Sequence, residues 1–321
     1  MAFMSKKRNL RIVFMGTPDF AVAGLDILVK NHYNVVGVIT APDKPAGRGR
    51  KISMSAVKTY ALENNIKVLQ PTNLKSETFL KELQQLKVNL QVVVAFRMLP
   101  KQVWQLPEYG TFNLHASILP QYRGAAPINW AVINGEKESG VTTFFIDEKI
   151  DTGAIIAAKK TTIGDTETAG ELHDRLMHLG ADLILNTVQA IENNAVNTTI
   201  QDENKTLKAA PKIFRETCQI NWNAPINTIY NLIRGLSPYP ASWSYLRNGD
   251  EQITVKIYKA DKILETHHLE NGSVISTKKG IQIAVEGGYI LPTEMQLPGK
   301  RKMAIKDILN GFTFHADVQF L

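Results

Sequence analysis

Cysteine and long apolar runs are the scarcest features of this sequence. The 321 residues include one cysteine, Cys218, so the chain cannot form an internal disulfide. No run approaches the ~18 apolar residues that a membrane-spanning helix needs. The amino terminus from Met1 to Arg8 also lacks the apolar segment of a signal peptide. We therefore expect a cytoplasmic protein that does not enter a membrane.

Residue patterns typical of metal sites are missing as well. The seven histidines include no HExxH pattern, and a single cysteine cannot supply a zinc ligand set. The adjacent histidines 267 and 268 point to opposite faces if the backbone there is extended. The sequence therefore predicts that no metal takes part in the protein's chemistry.

Positive charge is in excess. The formal net charge is +7 and the pI is near 9.3, which suits a polyanionic partner such as nucleic acid, although many basic proteins bind none. With 44% hydrophobic and 21% charged residues, the chain has the composition of a globular protein. Its length is sufficient for two domains.

The first forty residues predict a strand, a helix and a second strand. Residues 12–15 are an apolar strand that ends at Gly16, an amphipathic helix follows, and residues 35–39 form the next strand. This order implies a right-handed parallel crossover. A dinucleotide-binding turn needs three glycines for close approach to a pyrophosphate. Here Gly16 is followed by Thr-Pro-Asp, so we do not expect this turn to bind a pyrophosphate.

The rest of the chain extends this α/β pattern and then changes character. Helices are predicted at 56–62 and after the N-cap Ser76, a fully apolar strand at 92–95, and a long helix with four leucines and a valine at helical spacing from 172 to 188. Residues 193–208 turn polar, and we place a domain boundary there, between 205 and 206. Beyond it, short strands broken by glycines suggest a small barrel; they are predicted at 254–258, 272–276, 280–285 and 289–294.

Two polar side chains stand together near the middle of the chain. Residues 112–115 form a short apolar strand, and side-chain alternation places Asn113 and His115 on the same face. The chain breaks soon afterwards at Pro120 and Gly124, so both side chains lie near a strand end, where open α/β sheets bind ligands. Such a pair is either a structural hydrogen-bonding pair or part of a catalytic site.

A basic loop spans residues 41–51. Its two prolines and two glycines predict that it contains no regular structure, and its cations are Lys44, Arg48, Arg50 and Lys51. A run of this kind is either a solvated insertion or a surface that contacts a partner.

Several stretches, spread over nearly the whole chain, resemble the formyltransferase family that uses formyltetrahydrofolate. They are Gly16 to Ala21, Pro45 to Lys51, Gly110 to Ile128, Asp151 to Gly153 and Ile233 to Pro240. The resemblance implies a Rossmann-like, mostly parallel sheet domain at 1–205, which carries catalysis. It also implies a small OB-like β-barrel domain at 206–321, which binds tRNA. The implied reaction moves a formyl group from 10-formyltetrahydrofolate to an amine.

The resemblance also implies which residues act. Asn113 and His115 would donate hydrogen bonds to the developing oxyanion, and Asp151 would hold the imidazole and relay a proton, with Asp147 as the reserve candidate. Phe96-Arg97 stands where members that formylate tRNA more commonly carry Tyr-Gly. The implied folate-binding residues are Phe96, Arg97, Met98, Leu99, Ser117, Ile118, Leu119 and Pro120.

The resemblance also implies an acceptor, through the basic loop. In family members that formylate tRNA, the matching loop is an insertion that enters the acceptor end. Lys44, Arg48, Arg50 and Lys51 are therefore expected to contact methionyl-initiator tRNA. Two alternatives remain: a nucleotide-sugar or ribonucleotide acceptor, and a non-catalytic RNA-binding relative. No stable protein partner is predicted.

Overall fold

The computed structural model describes residues 7–46, 51–202 and 206–321. Packing divides the chain into two compact units that are discontinuous in sequence. The first unit comprises Met1–Gly124, Ser139–Thr161 and His173–Ala209, and the second comprises Ala125–Glu138, Thr162–Leu172 and Ala210–Leu321. In chain order the elements are β1 (Ile12–Gly16), α1 (Asp19–Lys30), β2 (Val35–Ile39), β3 (Lys44–Ala46), β4 (Lys51–Ser53), α2 (Ala56–Glu63), β5 (Val68–Leu69), α3 (Glu77–Gln85), β6 (Leu90–Val94), α4 (Lys101–Trp104), β7 (Thr111–His115), β8 (Arg123–Gly124), α5 (Pro127–Ile133), β9 (Glu138–Phe145), β10 (Ile155–Thr162), α6 (Ala169–Glu192), β11 (Ala209–Ala210), α7 (Ile226–Gly235), β12 (Ser242–Asn248), β13 (Glu251–Leu264), β14 (Val274–Thr277), β15 (Gly280–Val285), β16 (Gly288–Gln296), β17 (Met303–Ala304), α8 (Ile305–Leu309) and β18 (Gln319–Phe320).

The first unit is built on a mostly parallel sheet. Its strand order is β10-β9-β7-β6-β1-β2-β5, in which β7, β6, β1, β2 and β5 pair in parallel and β9 runs antiparallel to β7. Every residue of β1 and β6 is buried, as expected for central strands that are covered on both faces. The predicted Rossmann-like fold is confirmed.

Close packing of α6 supports the middle of this sheet. A Cβ added at Gly180 of α6 would lie 2.6 Å from Leu114 Cδ2, so the absence of a side chain lets the helix approach β7. Leu114 faces away from Asn113 and His115, because alternate residues of a strand point to opposite faces. The helix therefore braces the back of the strand whose front carries the candidate site.

The second unit contains the predicted barrel. Its sheet runs β14-β15-β16-β13-β12-β18, and all the assigned pairings within it are antiparallel. A bridge between Ser273 and Gln319 joins the two ends of that order, and the Phe320 N–H donates to Gly272 O at 2.9 Å. The buried core inside is formed largely by isoleucines, together with Trp222 and Phe320. The predicted small OB-like barrel is confirmed.

One long strand of the barrel, β12, was not predicted. Its small residues Ser242 and Ser244 are fully buried, and Trp243 between them is buried as well, so the strand lacks the alternation of apolar and polar residues expected for a half-buried strand. Tertiary hydrogen bonds satisfy both hydroxyls: Ser242 Oγ donates to Ile257 O at 2.8 Å, and Ser244 Oγ accepts from Trp222 Nε1 at 2.8 Å. These partners lie far along the chain and are invisible to local periodicity.

The prediction that residues 41–51 hold no regular structure is wrong in part. Strands β3 and β4 pair antiparallel, with Lys44 opposite Ser53 and Ala46 opposite Lys51. Pro45 is tolerated because an isolated two-stranded pair has edges on which the N–H that proline lacks is not needed. Arg48 and Arg50 lie outside the described residues.

Closure of the barrel generates a stability prediction. Gly272 has φ +85°, and a Cβ there would lie 2.2 Å from Phe320 O, whereas Gly299 has φ +69° and open space around it. Gly299→Ala should cost ~1 kcal/mol in the free energy of unfolding, which is the conformational cost alone. Gly272→Ala should cost at least ~2 kcal/mol more, because the closing strand must move.

Urea unfolding followed by tryptophan fluorescence measures both losses. The Gly299→Ala variant is the control for backbone conformation. Equal losses in the two variants would show that the contact at Gly272 does not hold the barrel closed.

Candidate active site

The site begins on β7. Asn113 and His115 project from the same face of this strand, and His115 is buried while Asn113 is half-buried. Within the described part of the chain, the side-chain amide of Asn113 makes no hydrogen bond. Its donors are therefore available to a ligand at the carboxyl end of the parallel strands.

The orientation of the His115 ring is set by a backbone carbonyl. Nε2 lies 2.8 Å from Tyr122 O, and since a carbonyl oxygen only accepts, Nε2 carries the hydrogen. Nδ1 lies 3.7 Å from Asp151 Oδ2. Tyr122 has φ +60°, a left-handed backbone that turns its carbonyl toward the ring. Nδ1 is thus the ring nitrogen left for chemistry.

Asp151 approaches His115 from the turn after β9. Its Oδ2 accepts the Gly124 N–H at 2.9 Å, and the side chain is 14% exposed. The backbone of Asp151 is left-handed, with φ +56°. Asp147 is exposed instead, and its Oδ1 accepts from Lys149 N and Thr152 Oγ1, so it caps the turn. Of the two carboxylates, the structure brings Asp151 to His115.

The loop from Ser117 to Pro120 is held by buried hydrogen bonds. Thr142 Oγ1 donates to Ser117 O at 2.7 Å and accepts from Leu119 N at 3.2 Å. Ser117 Oγ donates to Gln121 O at 2.6 Å, and the Ser117 and Leu119 side chains are buried. Ile118 and Pro120 are half-buried. The groups of this loop that a ligand could contact are therefore mainly its backbone and the side chains of Ile118 and Pro120.

The segment after β6 is braced by Arg97. Its guanidinium donates to Thr72 O at 3.1 Å and to Pro71 O, and lies 5.6 Å from the centre of the Phe96 ring. Met98 is 69% exposed, whereas Leu99 belongs to the buried core. The Arg97 side chain thus ties this segment to the chain after β5, and the folate-binding role of residues 96–99 stays a prediction.

The basic loop is anchored at its start. Lys58 Nζ contacts both Asp43 and Gln70, and Gln70 Nε2 also donates to Asp43 Oδ1 at 2.8 Å. The hydrogen bond from Lys58 lowers the pKa of the Asp43 carboxyl, with a further contribution from Gln70. Lys44 is exposed, while the side chain of Lys51 is outside the described part of the structure. The predicted tRNA contacts of this loop remain predictions.

Two polar residues at the site were not singled out in the sequence. Arg123 donates twice to Gln201 Oε1, at 3.1 and 2.7 Å, and Gln201 Nε2 donates to the carbonyls of Asp151 and Gly153, both at 2.9 Å. Gln201 lies in the polar stretch interpreted as a domain boundary, yet it is 5% exposed. The residues around Gln201 in the sequence do not indicate a role at the site, because their polar composition predicts only a surface segment.

No group of three or more His, Cys, Asp or Glu side chains is placed to hold a metal ion in residues 7–46, 51–202 and 206–321. Over the same residues, no helix has the length and apolar character that crossing a membrane requires.

Family models identify the class of protein to which this chain belongs. A family model described as "Formyl transferase" matches residues 10–188, and one described as "Formyl transferase, C-terminal domain" matches residues 212–313. The chain belongs to the formyl transferase family, which confirms the resemblance drawn from its sequence.

Relatives at high identity carry one name. A protein of Flavobacterium johnsoniae named methionyl-tRNA formyltransferase is 59% identical over 306 residues. The match covers 95% of this chain and 97% of that protein. A protein of Bacteroides thetaiotaomicron with the same name is 54% identical over 312 residues, covering 96% and 97%. These matches extend through both units.

Solved structures share the fold at lower identity. An N-formyltransferase from Helicobacter canadensis, in complex with folinic acid and dTDP-3-aminofucose, has a TM-score of 0.64 at 24% identity, covering 88% of this chain and 98% of that one. HypX from Aquifex aeolicus has a TM-score of 0.63 at 18% identity, covering 94% of this chain and 47% of its own. Both likenesses concern the fold.

The buried hydroxyl of Thr142 gives a prediction for this site. Thr142→Val keeps the shape but leaves Ser117 O and the Leu119 N–H unpaired, which should cost ~1–3 kcal/mol in the free energy of unfolding. Because these groups shape the loop predicted to line the pocket for the formyl donor, KM for the donor should rise about fivefold to tenfold.

Thr143→Val is the matched control. Thr143 is also fully buried on β9, but its hydroxyl lies 2.8 Å from Thr187 Oγ1 rather than near the loop. It should lose stability and keep a normal KM. A KM that rises equally in both variants would separate Thr142 from the donor pocket.

Proposed function

We propose that this protein transfers a formyl group from 10-formyltetrahydrofolate to the amino group of methionyl-initiator tRNA. The product is N-formylmethionyl-tRNA, which serves translation initiation in the cytoplasm. The observation that carries this proposal is the approach of Asp151 to His115, which shares a face of β7 with Asn113, in a chain 59% identical to a methionyl-tRNA formyltransferase over 95% of its length.

The reaction needs three things from the protein. An amine attacks the formyl carbon, an oxyanion develops, and the amine must lose a proton. The Asn113 amide has free donors for the oxyanion, and a protonated His115 Nδ1 supplies a second donor from the same strand face. Both hydrogen bonds strengthen as charge develops on the oxygen, which is where an enzyme gains rate.

Asp151 completes the arrangement. Its carboxylate lies 3.7 Å from His115 Nδ1, so it balances the charge of the imidazolium and receives the amine proton through a water molecule. That proton passes on to the folate nitrogen as the bond between this nitrogen and the formyl carbon breaks. The Gly124 N–H keeps that carboxylate turned toward the ring. The chemistry so written requires no metal.

The charge of the chain supports a tRNA acceptor. Lys44 is exposed at the start of the basic loop, and Lys300 and Arg301 are exposed in the second unit. A sugar nucleotide offers two phosphates, whereas an acceptor stem presents a phosphate on each strand at every step. We assign catalysis to residues 1–205 and tRNA binding to residues 206–321, with Lys44, Arg48, Arg50 and Lys51 as additional tRNA contacts.

The triad should behave as a unit. His115→Ala and Asn113→Ala should each lower kcat by ~100-fold to ~1,000-fold. Combining either with Asp151→Asn should cost much less than the product of the single effects, because the three groups act together. Formyl transfer under saturating substrates measures kcat, and circular dichroism verifies folding.

A control variant is available on α6. His178 is exposed, and His178→Ala should leave kcat unchanged. Near-normal turnover by His115→Ala would remove the imidazole from the mechanism.

Two measurements identify the acceptor: formyl transfer to a panel of candidate amines, and the affinity for tRNA across a series of salt concentrations. Transfer should occur to methionyl-initiator tRNA and not to an amino sugar nucleotide or an amino ribonucleotide. The affinity for tRNA should fall by about one logarithmic unit per logarithm of salt for each phosphate contact. Arg48→Ala should reduce that slope by ~1 and leave KM for the folate donor unchanged.

Lys81→Ala is the control for loss of one cation, because Lys81 is exposed on α3. A flat salt response in the parent would disfavour the tRNA acceptor. An Arg48→Ala variant that matches Lys81→Ala would leave the loop as a solvated insertion.

A further inference from the structure

Gln201 closes a ring of hydrogen bonds around the catalytic carboxylate. Its amide nitrogen donates to the carbonyls of Asp151 and Gly153, both at 2.9 Å, so one side chain holds two carbonyls of the turn. Burial to 5% exposure keeps water from competing for these bonds. The backbone of Asp151 is therefore clamped from a segment 50 residues further along the chain.

The ring continues through Arg123. The guanidinium donates to Gln201 Oε1 from Nε at 3.1 Å and from one terminal nitrogen at 2.7 Å. The next residue, Gly124, donates its N–H to Asp151 Oδ2 at 2.9 Å. The main chain and the carboxylate of Asp151 are thus linked through Gln201, Arg123 and Gly124, so a shift of the turn is passed on to the carboxylate.

Asp151 needs such support because its backbone is left-handed. At φ +56° a residue with a Cβ is disfavoured relative to the ordinary regions. Relaxation to an extended backbone would rotate the carboxylate away from His115 Nδ1. The bridge between Ile155 and Thr199 fixes the register of the segment two residues before Gln201, so the amide arrives at a defined position.

We propose that Gln201 is a positioning residue for the reaction: it holds Asp151 in the left-handed turn that presents its carboxylate to His115. The inference rests on the proposed function, since it takes Asp151 as a catalytic group. Gln201 reaches the reacting atoms only through Asp151, and its effect therefore falls on kcat.

A purely structural role makes a different prediction, and the chain offers a matched control for it. Gln121 holds the same polar segment: its Nε2 donates to Thr206 O at 3.2 Å and its Oε1 accepts from Lys208 N at 2.8 Å. The described hydrogen bonds of its side chain do not include the turn from Asp151 to Gly153. Gln121→Ala therefore loosens the segment and spares the carboxylate.

The experiment measures kcat and both KM values for Gln201→Ala and Gln121→Ala, each in the parent and in an Asp151→Asn background. Gln201→Ala should lower kcat by ~10-fold to ~100-fold, because small displacements of a reacting group are costly. Both KM values should stay within about twofold. In the Asp151→Asn background the same substitution should change single-turnover rates by less than about twofold.

Gln201→Glu distinguishes the effect of losing the amide N–H donor from the effect of shortening the side chain, because glutamate has nearly the size of glutamine. It keeps an oxygen for Arg123 but replaces the amide donor with an oxygen that faces two carbonyls, so it should be at least as impaired as Gln201→Ala. Gln121→Ala should stay within about twofold of its background in every case.

Three outcomes would overturn the inference. The first is normal kcat in Gln201→Ala, and the second is an equal loss in the parent and Asp151→Asn backgrounds. The third is failure of both Gln201 variants to fold, judged by circular dichroism, which would assign the residue to stability alone. If the parent formylates an amine other than methionyl-tRNA, the proposed function fails, and the same comparison with that acceptor still decides the inference.

Discussion

The hydrogen bond from the Gly124 N–H to Asp151 Oδ2 is the contact on which the candidate site depends. It joins β8, in the segment that follows β7, to the turn after β9, and it turns the carboxylate toward His115. Both segments contain a non-glycine residue with a left-handed backbone, Tyr122 in the first and Asp151 in the second. Strained backbone of this kind persists only where surrounding contacts determine it, and here it orients a carbonyl and a carboxylate around one imidazole.

The sheet supplies the rigid support for these loops. At β7 the sheet changes from parallel to antiparallel pairing, because β6 runs with β7 and β9 runs against it. His115 lies opposite Thr142 of β9, the residue whose hydroxyl also anchors the loop from Ser117 to Leu119. One pair of strands thus positions both the imidazole and the loop predicted to line the folate pocket. Catalytic groups placed on strands and braced by buried bonds lose little precision to thermal motion.

The charged groups of the candidate site and those of the basic loop differ in their exposure to water, and so in how their interactions respond to salt. The His115 ring and the Asp151 carboxylate are little exposed and are held by Tyr122 O and the Gly124 N–H, so these interactions depend little on salt. The exposed cation Lys44 at the start of the basic loop lies in water, where attraction to phosphates is long-ranged and screened. The Asp43, Lys58 and Gln70 cluster fixes where that loop leaves the sheet.

Much of this molecule could be predicted from its amino-acid sequence. The period of two in residues 112–115 determined that Asn113 and His115 share a face, and helical periodicity determined α1, α3 and α6. These properties are local, since each depends on residues within a few positions along the chain. The family resemblance added the function and named Asp151 beside Asp147.

Tertiary structure decided the rest. It placed Asp151 rather than Asp147 beside His115, buried Ser242 and Ser244 in β12, and brought Gln201 to a turn 50 residues away. The Arg123 side chain meets its partner across 78 residues of sequence. Hydrogen bonds between such distant groups depend on how strands and loops pack, and no periodicity or composition along the chain contains that information.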